Sequence, residues 1–124
     1  MNTTAPTPLR PLPRNRLLAH DLALEAAGKA LALVTGLSGP YRSLADQVIR
    51  AAASVPANLA EGQGRRGRDR RHFHRIAYAS AREVDSHLRL LAGAGAVDPT
   101  ATAEVLDLLD RARALTWKLL EPWP

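Results

Sequence analysis

Six arginines and a single aspartate, Asp69, fall within residues 65–75 (RRGRDRRHFHR), so this stretch alone accounts for the net charge of +5 carried by the 124-residue chain. Guanidinium groups hold phosphate oxygens through paired, charge-assisted hydrogen bonds, and clustered basic charge is the electrostatic footprint of a polyanion contact. Arg65, Arg66, Arg68, Arg70, Arg71 and Arg75 are therefore the candidate nucleic-acid-binding residues. A preference for arginine over lysine (15 Arg to 2 Lys) explains the choice of cation but not its clustering. Arg68, Arg75, Arg82 and Arg89 recur every seven residues with Arg71 beside the first two, a basic stripe along one helix face. The alternative is a solvated face, which Asp85, four residues before Arg89, favours for Arg82 and Arg89. Phe73, the aromatic within the cluster, is in phase with the core. Contacts to phosphate without readout of base sequence are expected.

A second polar set, Ser54, Asn58, Glu61 and Arg65, falls at i, i+4, i+7 and i+11. It forms either a structural hydrogen-bonded network near Pro56 or a solvated edge, and Glu61 precedes Arg65 in the favourable order for an ion pair. His72 and His74, two apart on a helix, point in nearly opposite directions and cannot share a metal ion. His87 is in apolar phase and reads as a buried, singly hydrogen-bonded ring. No Glu-x-x-His pair of the kind that builds a di-iron bundle occurs, so neither a metal nor another cofactor is expected. Arg82 and His87 satisfy a loose Arg-x4-His pattern seen in helical ribonucleases of the HEPN type, in which the imidazole would act as general acid or base. That is the enzymatic alternative; the principal reading assigns no catalytic residue. A purely structural oligomer is the third.

These side chains need elements to hold them. Pro6, Pro8, Pro11 and Pro13 punctuate residues 1–13, which carry no helical or strand period and read as an extended arm. Four helical periods follow within a single domain, residues 14–124. Helix one, about 14–36, carries Leu17, Leu24 and Leu31 with His20, Ala27 and Val34 on the adjacent track. Helix two, about 41–63, carries Leu44, Val48, Ala52, Val55 and Leu59, and Pro56 predicts a kink. Helix three, about 68–92, places Phe73, Ala77, Ser80, Val84, His87 and Leu91 on one face. Helix four opens at Asp98-Pro99, a favoured cap and first-turn pair, and carries Val105, Leu108, Ala112, Leu115 and Leu119 before Pro122. Short loops between such helices predict an all-α, up-down-up-down antiparallel four-helix bundle.

With 23 alanines and one phenylalanine the bundle core is short of large side chains, so self-association is expected to supplement it. The absence of cysteine excludes disulfides, thiolate metal sites and a cysteine nucleophile. The first residues show no apolar segment of signal-peptide length. The longest uninterrupted apolar run, Ala30–Val34, is far too short to cross a bilayer, so a cytoplasmic location and no membrane partner are expected.

Residues 47–65, QVIRAAASVPANLAEGQGR, resemble the hallmark of the 23S rRNA intervening-sequence proteins: Gln47, Arg50, Ala51, Ala52, Ser54, Pro56, Asn58, Ala60, Glu61, Gly62, Gly64 and Arg65 match it. Phe73, Ala77, Ser80 and Glu83 match the helix that follows, whereas Gln63, Gly67 and Ala79 depart from the family pattern. The resemblance implies a cytosolic four-helix bundle without catalytic activity, similar to ring-forming and often pentameric relatives. Among these are the basic accessory proteins of diversity-generating retroelements, which bind nucleic acid and work with a reverse transcriptase. A homopentamer, nucleic acid (RNA or DNA) and a protein such as a reverse transcriptase are therefore the partners the resemblance implies.

Overall fold

The computed structural model describes residues 14–120, with side chains from Leu17 onward. The N-terminal arm, with Arg10, and the last four residues lie outside the described part. Four helices make up the fold: α1 (Arg14–Val34), α2 (Arg42–Gln63), α3 (Gly67–Gly93) and α4 (Pro99–Leu120), with one turn of 3-10 helix, Gly39–Tyr41, leading into α2. Among the described residues there is no strand. Each helix packs against two others, closing the ring α1–α2–α3–α4. Connections of only a few residues make successive helices antiparallel.

The ends of the helices follow the local chemistry. Asp98 caps α4, its Oδ2 accepting from the Ala101 amide at 2.8 Å while its carbonyl accepts from the Thr102 amide and hydroxyl at 3.0 and 2.8 Å. Pro99 takes the first helical position, where the missing N–H costs nothing. Helix α2 stays helical through Pro56, which is buried. The missing Pro56 N–H deprives the Ala52 carbonyl of its usual donor.

The core differs from the expected one on two helices. On α1 the buried residues are Ala19, Leu22, Ala23, Ala26, Ala30 and Val34, while Leu17 and Leu24 are 45% and 51% exposed. Alanine on the inner face lets the α1 backbone approach its neighbours closely, and the bulkier leucine track is turned outward to the seam with α2. On α3 the buried residues are His74, Ala77, Ala81, Val84, Leu88 and Leu91. The track with Phe73, Ser80 and His87 is displaced to the α2–α3 rim, where these residues are only half-buried. The buried histidine is thus His74, not His87. His87 is half-buried and bonds Glu83 at 3.3 Å.

Candidate nucleic-acid interface

The arginine cluster occupies the hairpin between α2 and the start of α3. Pairing within the hairpin divides it into two groups. Arg65 donates to Glu61 Oε2 through Nη2 at 3.0 Å and Nε at 3.3 Å, lies 3.8 Å from Asp69, and stacks its guanidinium 4.8 Å from the centre of the Phe73 ring. Arg70 donates from Nε to the Arg65 carbonyl at 2.9 Å. These two side chains clamp the turn. The side chains of Arg66, Arg68, Arg71 and Arg75 make no hydrogen bond or ion pair among the described residues, and all but the half-buried Arg71 are exposed. Gly67, at φ +54, lets the chain reverse between extended Arg66 and the first turn of α3, so that Arg66 and Arg68 stand at the tip.

Helical spacing extends this basic surface along α3. Arg68, Arg71, Arg75 and Arg82 lie on one face, and Arg82 is likewise exposed and unpaired among the described residues. Arg89 is different. Its Nε binds Asp85 Oδ1 at 2.7 Å, and this hydrogen bond and adjacent charge raise the guanidinium pKa above its ordinary value. The basic stripe is therefore interrupted at Arg89, as the position of Asp85 implies.

Beneath the hairpin, α2 and α3 meet through small and polar groups. Ser54 Oγ and Ser80 Oγ are 2.9 Å apart, and Asn58 Nδ2 donates to Ser54 O and Oγ at 2.8 and 2.9 Å. Glu61 turns away from this set to Arg65, so Ser54, Asn58 and Glu61 serve two adjacent networks rather than one. Ser80 is the member that spacing along α2 could not reveal; it lies on α3. Nearer the turn, the buried His74 ring sits against Gly62, where an added Cβ would come within 2.8 Å of the ring atoms Cδ2 and Nε2. Only glycine permits this approach.

Arg82 and His87 do not converge. Five residues apart on a helix they diverge by about 140°, and the His87 ring is held by Glu83 on the rim that faces α2. Among the described residues no group of three or more His, Cys, Asp or Glu side chains is placed to share a metal ion. No helix of the described part is long and apolar enough to cross a membrane.

On α3 and α4 the structure pairs two residues the sequence reading passed over: the Tyr78 and Trp117 rings lie 5.5 Å apart at 45°, and Trp117 is 55% exposed. They are 39 positions apart, so no local spacing connects them.

With the hairpin and bundle established, comparison with known proteins gives the class. The family model of the 23S rRNA-intervening sequence protein matches residues 22–118, and the chain belongs to that family. The fold is similar to the crystal structure of a protein of unknown function of the S23 ribosomal protein family from Bacteroides thetaiotaomicron VPI-5482, with a TM-score of 0.76 at 19% identity, over 87% of this chain and 99% of that one. No match was found among curated proteins.

Proposed function

We propose that this protein is a non-enzymatic, self-associating scaffold of the cytoplasm that binds nucleic acid, RNA or DNA, without reading its sequence. The observation that carries the reading is the division within the cluster: Arg65 and Arg70 hold the hairpin in shape, while Arg66, Arg68, Arg71 and Arg75 have no acidic partner and project from one end and one face of the bundle. Unneutralised guanidinium groups on a rigid helix match an extended row of phosphates, whose release of counterions supplies affinity without discrimination between sequences.

Self-association has its own support. An open groove of about 470 Å³ runs along the α1–α2 seam, lined mainly by Leu24, Ala27, Leu31, Ala53, Ala57 and Pro56. Exposed Leu17, seven residues before Leu24 on the same helix face, continues it. An apolar seam of this kind, next to a core built of alanine, suits burial against another copy, and the family resemblance suggests a five-fold ring. A ring would present several hairpins to one strand and multiply weak contacts. An enzyme acting on the bound strand, such as a reverse transcriptase, is the protein partner proposed for such a scaffold.

Incubation of purified protein with end-labelled RNA tests the reading. Retention of intact RNA is expected; cleavage would transfer the assignment to a helical ribonuclease, and neither retention nor cleavage would leave a structural oligomer.

A further inference from the structure

The aromatic pair between α3 and α4 is not used by the phosphate-binding reading. Tyr78 and Trp117, with Asp110, Arg113, Ala114 and Lys118, line an open groove of about 420 Å³. The one carboxylate there, Asp110, is taken up by Arg113 Nη2 at 2.6 Å. Lys118 is exposed and has no ion pair among the described residues. On α3, Arg71, Arg75 and Arg82 stand seven and three residues before and four after Tyr78, so the ring shares their face. A half-exposed indole, braced from behind by a tyrosine, is thus bordered by unpaired cations.

An exposed tryptophan has an apolar face to offer, and its surroundings determine to whom. A second copy docked symmetrically here would bring Arg75, Arg82 and Lys118 against their own counterparts, which like-charge repulsion opposes. A duplex offers phosphates to the cations but keeps its bases stacked on each other. A single strand offers both phosphates and free base faces, and stacking on an aromatic ring tolerates every base.

We propose that Trp117, supported by Tyr78, is a base-stacking platform that gives the basic face of α3 a preference for single-stranded nucleic acid over duplex. This rests on the phosphate-binding reading above and adds the form of nucleic acid. Stacking does not use the sugar 2′-hydroxyl, so single-stranded RNA and DNA should both engage the platform.

The test uses fluorescein-labelled dT20, U20 and a 20-base-pair DNA duplex, with the full chain, the Trp117→Leu and Trp117→Phe variants, and the Arg66→Gln/Arg68→Gln/Arg75→Gln variant. Trp117→Leu is expected to weaken binding of both single strands by roughly 5- to 150-fold, the range of one lost stacking contact, with duplex binding changed less than about 2-fold. Trp117→Phe should recover most of the loss. In a Trp123→Phe background, saturation with dT20 should quench the emission of Trp117. Unchanged single-strand affinity in Trp117→Leu, or equal weakening on duplex, would overturn the platform; if the arginine variant nonetheless loses binding, the phosphate reading stands alone. Absence of binding by the unaltered protein would overturn both. Dissociation of the oligomer by Trp117→Leu would show instead that the indole packs against another chain.

Discussion

At the scale of single residues, the tightest constraint is the contact between Gly62 and the buried His74 ring. A methyl group at Gly62 would sit 2.8 Å from two ring atoms, so either the buried ring or one of the two helices must shift. Overpacking of this kind costs about 1–3 kcal/mol, and the gain of up to about 1 kcal/mol from replacing glycine in a helix offsets only part of it. Gly62→Ala should therefore lower stability by about 1 kcal/mol or more in denaturant melts; an unchanged or higher midpoint would show that the ring moves freely. Asn58→Leu should be costlier than it looks from its partial exposure. It removes the donor to Ser54 O and Oγ and leaves Ser54 Oγ only its Ser80 partner in a half-buried seam, a loss of about 1 kcal/mol or more. Exposed, unpaired Arg82→Ala is the control, expected below about 0.5 kcal/mol. Equal effects in the two variants would mean that the serine and asparagine groups are simply solvated.

At the scale of elements, the α2–α3 hairpin separates arginines that shape the turn from arginines whose side chains have no partner among the described residues. Arg65→Ala removes the stack on Phe73 and the Glu61 pair, worth about 1 kcal/mol together at an exposed site. It should lower Tm by several degrees. Arg66→Ala, which loses no contact within the described residues, should leave Tm unchanged within about a degree; a comparable fall in both would contradict the division. The four helices, their ends and the basic face of α3 were legible from periodicity, from Asp98-Pro99 and from the glycines. Which apolar track is buried was not. On α1 both the Leu17/Leu24/Leu31 track and the alanine track beside it are apolar, and hydrophobicity alone favours the larger residues, whereas close backbone packing selects the smaller. On α3 the inner face is turned by about 50°, half a residue step, which brings His74 inward, keeps Ala77, Val84 and Leu91 buried, and leaves Phe73 on the rim, where it serves as the platform for Arg65. The pairing of Ser80 with Ser54 and the Tyr78–Trp117 pair could not be read at all, because the partners come from different helices.

For the whole molecule, the alanine-rich bundle leaves an apolar groove open along α1 and α2, and arginines without an acidic partner among the described residues stand at one end. Sedimentation equilibrium at micromolar protein should show a discrete assembly above the 13.4 kDa protomer, and Leu24→Glu, which places a charge in the α1–α2 groove, should shift it toward monomer. A monomer in the unaltered protein would remove self-association. The central claim, that four unpaired arginines of the hairpin hold phosphates, is tested most directly by titrating dT20 across 50 to 200 mM salt. Four contacts predict a slope of log affinity against log salt of about −2.8 for each protomer engaged, an approximately 50-fold loss over that range. The Arg66→Gln/Arg68→Gln/Arg75→Gln variant should flatten the slope by about 2 for each protomer, uniformly across sequences, with its melting temperature unchanged. A variant that keeps both the affinity and the slope of the unaltered protein would contradict the account.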